Sequence, residues 1–198
     1  MNIDSASVAS SADKILQAAT ALFADNNFNA VSIKQIAATS GVNSALISYY
    51  FGGKKNLYQE VLECQAKIFA DIIQTIRARD ISPLHKLRAY VEALAALQET
   101  NPHSIPLTFR ELSTPHPIFE KFVKNKLYVL HQFMMELVEE AIACKEITTT
   151  IKPTHVAFTL ESMIMFFFLT GRQIKELSEY DPKDYLSQAL NTYLTSLV

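Results

Sequence analysis

Residues 32–51 of this sequence read SIKQIAATSGVNSALISYYF. Ser32 followed by Gln35 is the pattern of a capping box, in which two side chains satisfy backbone N–H groups at the start of a helix. Gly41 interrupts the helical pattern, and Asn43 is a residue type that caps the start of a second helix. The segment therefore predicts two short helices joined by a glycine turn, which is the helix-turn-helix arrangement.

The spacing of apolar residues predicts which side of the second short helix is buried. Ile47 and Phe51 are four residues apart and therefore lie on one face, which we expect to point inward. In a helix-turn-helix the second helix enters the major groove, where small or polar side chains reach the base edges. The residues predicted to face the groove are Ser44, Ala45, Ser48 and Tyr49.

The segments on either side extend this unit. Ser10 followed by Asp13 predicts a further capping box, which opens a helix that ends near Asn26. After Gly52-Gly53 a long helix is predicted to begin at Lys54. The apolar positions of the first helix recur at helical spacing: Ile15, Ala19, Leu22 and Phe23.

The charge of this part of the chain differs from that of the whole. The formal net charge of the chain is −2, but the charged residues between Asn26 and Gln59 are Lys34, Lys54 and Lys55 alone. A local charge of +3 without acids is a modest basic patch, suited to phosphates. The remainder is net acidic, as expected for a domain that does not touch DNA.

Residues 12–62 as a whole resemble the N-terminal domain of the TetR family of bacterial transcription regulators. Three positions depart from the family pattern: Asn27 stands for a glycine, Asn43 for a capping serine and Ser48 for a tyrosine. Because the last position usually faces the operator, the resemblance does not indicate a base preference. The matching segments are ATALF at 19–23, Phe28, SIKQIA at 32–37, GVNSALISYYF at 41–51 and KKNL at 54–57.

The resemblance implies roles for individual residues. Ser32 would bind a phosphate with its hydroxyl and the neighbouring N–H groups. Tyr49 and Tyr50 would reach phosphates or sugars, although core packing is an equal alternative for Tyr50. Lys54 would pair with a phosphate, and Lys34 would assist. Lys55 could assist as well, but for this residue a solvated lysine is the favoured interpretation. The predicted DNA-binding residues are Ser32, Lys34, Asn43, Ser44, Ala45, Ser48, Tyr49, Tyr50 and Lys54.

Few glycines and several prolines that open helical segments predict an all-α protein. We expect a polar tail without signal-peptide features at residues 1–11, the DNA-binding domain at 12–60, and a helical ligand-binding and dimerisation domain at 61–198. Helices are predicted after Pro83, Pro153 and Pro182, and a long one from Ile118 to Lys145.

The most apolar stretch runs from Val156 to Leu169. It includes Glu161 and is shorter than a membrane span, so we expect a soluble, cytoplasmic protein with no membrane partner. Apolar residues at four consecutive positions point to all sides of a helix, which must then be buried all round. This predicts a homodimer interface containing Phe166, Phe167 and Leu169, with a central core helix of a monomer as the alternative.

The second domain is expected to hold a largely apolar small-molecule effector. His131 lies on an apolar stripe with Met134, and a hydrogen-bonded core histidine is the alternative reading. The candidate ligand contacts, each with a core or surface alternative, are Phe109, Arg110, His131, Phe133, Met134 and Met163.

No nucleophile motif, phosphate-binding loop, dinucleotide turn or metal-ligand spacing occurs, so neither an enzyme nor a cofactor is expected. Cys64 and Cys144 are expected to be core thiols. The sequence predicts a repressor that binds a near-palindromic double-stranded operator and is released by a ligand. The alternatives are a dimer of the same family controlled by a protein partner or by no ligand, and a helical enzyme or carrier.

Overall fold

The computed structural model describes residues 10–113, 115–177 and 182–197, so residues 1–9 of the predicted tail lie outside the described part. Within these ranges the regular structure is helical and contains no strand, which confirms the all-α prediction. The chain forms two compact units, Met1–Gln65 and Ala66–Val198.

The first unit contains three short helices and the beginning of a long one. A 3₁₀ turn, Phe28–Ala30, lies between the first two helices. The long helix passes the boundary between the units, so it is their covalent connection. The helices are α1 (Ser11–Asp25), α2 (Ile33–Ser40), α3 (Ser44–Phe51) and α4 (Lys54–Arg77).

The predicted caps set the bounds of α2 and α3. The Ser32 hydroxyl accepts from the Gln35 N–H at 3.2 Å, and the Ser32 N–H donates to the Gln35 side chain at 2.8 Å. The Asn43 carboxamide oxygen accepts from the Ala45 N–H at 2.9 Å. Gly41, with φ +68°, ends α2 in the left-handed conformation that a residue with a Cβ rarely adopts. The helix-turn-helix is therefore encoded locally.

The first unit also contains a cluster of aromatic side chains against which one lysine packs. The Tyr58 ring centroid lies 4.6 Å from that of Phe23 and 5.0 Å from that of Phe28. The Lys54 ammonium donates to the carbonyls of Phe28 at 3.0 Å and Val31 at 2.9 Å, and it lies 4.4 Å from the Phe28 ring centroid. Lys54 thus fastens the first turn of α4 to the loop between α1 and α2.

The second unit is a helical bundle around one apolar core, to which Phe69, Ile73 and Ile76 of α4 contribute. Buried residues of α8 and α9 form much of its centre. Its other helices are α5 (Pro83–Thr100), α6 (Ser104–Ser113), α7 (Glu120–Phe122), α8 (Val129–Ala143), α9 (Pro153–Leu177) and α10 (Pro182–Thr195).

The prediction of one long helix from Ile118 to Lys145 is wrong. The segment starts with a 3₁₀ turn, Pro117–Phe119, and passes through a π-helical turn, Val123–Leu127, before α8 begins. A π turn adds a residue to the helical repeat and shifts the register of the side chains that follow. Here it coincides with the burial of Val123 and Leu127 in a small cluster with Ala66, so packing determines the interruption.

Helix α9 buries one side and exposes the other. Its window Pro153–Thr170, with mean hydropathy 1.2, is long and apolar enough to cross a membrane. Such a composition is also typical of a core helix. The buried side consists of Val156, Ala157, Leu160, Ile164 and Phe168, which join the core of the second unit.

The two thiols do not share one environment. Cys144 follows the last residue of α8 and is exposed, so the prediction of a core thiol is wrong there. Cys64 is half-buried, and burial, together with Glu60 and Glu63, raises the pKa of its thiol.

We expect Lys54→Ala to destabilise the first unit, because two carbonyls lose a charged donor. The cost should be about 1–2 kcal/mol of the free energy of unfolding, at the low end for charge-assisted bonds since the ammonium is partly exposed. Urea unfolding followed by circular dichroism measures it. Lys55→Ala is the matched control, because Lys55 is exposed. Equal stability of the two variants would show that the Lys54 contacts contribute nothing.

Candidate DNA-binding surface and C-terminal cavity

Helix α3 is held by a single fully buried side chain. Ile47 is the one buried residue that α3 contains. Phe51, predicted to point inward with it, is half-buried. The residues predicted to face the groove are all exposed, and these are Ser44, Ala45, Ser48 and Tyr49. The result is a helix with a small, polar outer face, which is compatible with a major groove about 12 Å wide.

Two adjacent tyrosines end this face. Tyr49 is 79% exposed and Tyr50 46% exposed, and their ring centroids lie 5.0 Å apart in an edge-on arrangement. Tyr50 is therefore not buried in the core, which was the alternative for this residue. Both phenols are accessible, so they are available to phosphate or sugar groups.

The remaining predicted contacts lie near helix N-termini. Ser32, Lys34 and Asn43 are exposed, as is Lys55. The Ser32 hydroxyl also donates to the Gln35 side-chain oxygen at 2.8 Å, so the capping box occupies it in this structure. A helix N-terminus still offers backbone N–H groups and the positive end of its dipole to an anion.

Lys54 has an internal role that the sequence pattern does not reveal. Its two acceptors are backbone carbonyls 26 and 23 residues earlier in the chain, and spacing alone does not indicate such partners. A phosphate contact would require the ammonium to leave these carbonyls. The phosphate contact of Lys54 therefore stays a prediction, beside a structural role that the geometry favours.

A cavity of about 410 Å³ lies within the second unit. Side chains of α5, α6, α8 and α9, together with Tyr128, surround it, and most are apolar. Its size falls in the range of sites for small organic molecules. The lining residues are Tyr90, Leu94, Phe109, Leu112, Tyr128, Leu130, His131, Met134, Phe158, Glu161, Ile164 and Met165.

Three of the six predicted ligand contacts, Phe109, His131 and Met134, lie in this lining. Phe133 and Met163 are not among the lining residues. The fully buried Phe133 ring packs edge-on against Tyr90, with centroids 5.4 Å apart.

Arg110 is also absent from the lining. Its guanidinium lies 4.0 Å from the Glu111 carboxylate. A ligand contact of Arg110 therefore stays a prediction, and His131, predicted beside it, is the one of the two that lines this cavity.

Two residues of the cavity lining, His131 and Glu161, form an ion-pairing contact between α8 and α9. The Nδ1 atom of His131 on α8 lies 3.0 and 2.9 Å from the two carboxylate oxygens of Glu161 on α9. Both side chains are largely buried, with 30% and 24% of their surface exposed. Burial raises the pKa of Glu161, and the hydrogen bond and charge of His131 oppose the shift. Burial and the nearby Glu161 carboxylate also raise the pKa of Tyr90.

Glu161 is the acidic residue among the lining residues that the sequence did not predict. In the sequence, Glu161 was noted only as a charged residue that interrupts the apolar stretch from Val156 to Leu169. An acid between core residues such as Leu160 and Ile164 is itself a signal, because burying a carboxylate is costly without a specific partner. The pairing with His131 could not be read from the sequence, since the two residues are 30 positions apart.

Comparisons with known proteins find a family model that is similar to the first unit. The profile of the bacterial regulatory proteins of the tetR family matches residues 15–61. A Bacillus subtilis protein named "Probable HTH-type transcriptional regulator YttP" is 26% identical over 179 residues, which cover 88% of this chain and 85% of that protein.

Solved structures share the fold of the whole chain. The ketosteroid transcriptional regulator KstR2 of Mycobacterium tuberculosis superposes with a TM-score of 0.77 at 16% identity, covering 96% of each chain. A TetR-like transcriptional regulator from Rhodococcus sp. RHA1 gives 0.73 at 17% identity, covering 93% of each chain. The helix-turn-helix of α2 and α3 thus lies within a region similar to the tetR family of bacterial regulatory proteins, and the chain as a whole shares its fold with these solved structures.

Proposed function

We propose that this protein is a cytoplasmic, homodimeric repressor that binds a near-palindromic operator and is released by a small, largely apolar molecule. The observation that carries the proposal is the combination, in one chain, of the exposed α3 face and the apolar cavity of about 410 Å³. The cavity favours a ligand-controlled regulator over one that responds to no effector.

The exposed residues of the first unit fall into two sets. One set can reach base edges, and the other can reach phosphates and sugars. Ser44, Ala45 and Ser48 lie on the outer face of α3 and are short enough to approach base edges. Phosphate and sugar contacts, which fix the register on the duplex, come from residues with longer side chains or near helix N-termini. We assign these contacts to Ser32, Lys34, Asn43, Tyr49 and Tyr50.

The exposed face of α9 supports dimerisation. Phe158, Ser162, Phe166 and Leu169 follow one another at steps of four, four and three residues, so they lie on one side of the helix. Phe158 and Phe166 are 66% and 64% exposed, an unusual surface for aromatic residues. In a two-fold dimer the same patch occurs on both subunits and can cover itself.

Phe167 was predicted to lie at the dimer interface, but its ring packs within its own subunit. Its ring lies 5.1 Å from that of Phe168 and stacks at 6.2 Å on that of Tyr185, and it is partly buried against the core of its own subunit. Phe166 is therefore the better residue with which to test the interface.

Release from the operator follows from a preference of the ligand for one subunit arrangement. Two DNA-binding units in a dimer must match a fixed half-site spacing. A ligand that favours another arrangement lowers operator affinity by its differential affinity and by no more than that. A coupling of about 1–3 kcal/mol is typical.

Substitutions on α2 and α3 should separate phosphate contacts from base contacts. We expect Lys34→Ala to weaken binding to operator and random DNA alike, reducing the salt slope by roughly one charge. Ser48→Ala should instead change the preference among operator variants, by about 1–3 kcal/mol at one position. Fluorescence anisotropy over a salt series measures both effects.

Lys126→Ala is the control, because Lys126 is an exposed lysine of the second unit. An unchanged salt slope for Lys34→Ala removes Lys34 from the phosphate contacts. An unchanged preference profile for Ser48→Ala means that Ser48 does not read bases.

The interface is tested by placing a charge on the exposed face of α9. Phe166→Glu should yield monomers with much weaker operator binding, because a buried unpaired carboxylate disfavours association. Ile81→Glu makes the same chemical change at an exposed apolar residue outside α9 and should remain dimeric. Sedimentation velocity measures the association state, and a dimeric Phe166→Glu variant would place the interface elsewhere.

A further inference from the structure

The cavity of the second unit has a polar end with a definite sign of charge. Among its lining residues Glu161 is the one acid, and no lysine or arginine is present. With a neutral His131 the His131–Glu161 pair carries −1 when the carboxylate is ionised, and with a protonated His131 it carries zero. The ionised pair therefore offers no net positive charge to an anionic ligand.

The Glu161 carboxylate retains capacity for a second donor. An ionised carboxylate has about four acceptor positions on its two oxygens. His131 contributes one ring nitrogen, Nδ1, which lies close to both oxygens. A ligand group that donates hydrogen bonds and carries positive charge would complement the remaining positions and the charge together.

Aromatic rings also line the cavity beside this pair. Tyr90, Phe109, Tyr128 and Phe158 contribute four rings, and the Tyr128 ring centroid lies 5.2 Å from that of His131. The face of an aromatic ring is electrostatically negative and attracts a cation within about 6 Å of its centre. Aromatic rings and a carboxylate in the lining of one cavity form a setting that favours an ammonium over a carboxylate head group.

We propose that the effector is an apolar molecule with one amine head group, whose ammonium binds the Glu161 carboxylate while its apolar part packs on Leu94, Leu130, Met134 and Ile164. This inference rests on the proposed function of the cavity as the effector site. Burial raises the pKa of Glu161, and an ammonium beside the carboxylate would favour its charged form and oppose that shift.

Three probes that share a ten-carbon tail and differ in the head group test the proposal. Decylamine, decanol and decanoate are titrated below their aggregation concentrations into the full-length protein at pH 7.5, with calorimetry as the readout. We expect decylamine to bind about 10-fold or more tightly than decanol, as for a hydrogen bond to a charged group. Decanoate should bind more weakly than decanol.

Glu161→Gln is the decisive variant because it preserves the shape and removes the charge. It should abolish the preference for decylamine over decanol. Glu139→Gln removes the same charge from an exposed position of α8 and should retain the preference. Should Glu161→Gln fail to fold by circular dichroism, the order of the three probes on the unmodified protein decides alone.

Each other outcome overturns the proposal. Tighter binding of decanoate would mean that a protonated His131 anchors anions. Equal binding of decylamine and decanol, or a preference retained in Glu161→Gln, would mean that the carboxylate does not select the ligand. Absence of binding by all three probes would exclude an amphiphilic amine of this size.

Operator binding in the presence of each probe separates this inference from the proposed function. Decylamine that binds through Glu161 without weakening operator binding would leave the ligand class standing and contradict release by a ligand. Decanoate that binds and releases the operator would support release and overturn the ligand class.

Discussion

The burial of Ile47 is the constraint on which the DNA-binding surface depends. Ile47 is the one fully buried residue among the eight residues of α3, with Leu46 and Phe51 half-buried, so the opposite face of the helix is left exposed. The left-handed Gly41 and the Asn43 cap determine where α3 starts, and hence which residues share the face opposite Ile47. A one-residue shift of that start would turn Ser44 and Ser48 by about 100° and replace the surface offered to the groove.

The second unit depends on a different feature, a pair of polar side chains within an apolar interior. Most of its interior is apolar, yet α8 and α9 place His131 and Glu161 against each other beside a cavity. A fully apolar pair would pack without the cost of desolvating a carboxylate. Retaining the pair gives the cavity a polar end, and Phe158 lies both in the cavity lining and on the exposed side of α9. Filling the cavity and covering that face therefore involve one common side chain.

Local sequence signals predicted the first unit well and the second unit only in outline. The bounds of α2 and α3 follow from Ser32, Gln35, Gly41 and Asn43, whose effects act within four residues. The π turn at Val123–Leu127 and the His131–Glu161 contact depend on tertiary packing between residues distant in sequence, which periodicity does not report. The apolar stripe predicted His131 and Met134 as ligand contacts, and both line the cavity, whereas Phe133, predicted with them, is fully buried.

Sequencing of genomic DNA captured by the purified protein tests the central claim, namely that the exposed face of α3 reads a specific site as part of a dimer. The enriched fragments should share a near-palindromic motif, with half-sites separated by about one helical turn, roughly 10 base pairs, or a multiple of it. Enrichment should disappear with Phe166→Glu and change its base preference with Ser48→Ala. Capture without any common motif, or a motif with no two-fold symmetry, would contradict the claim.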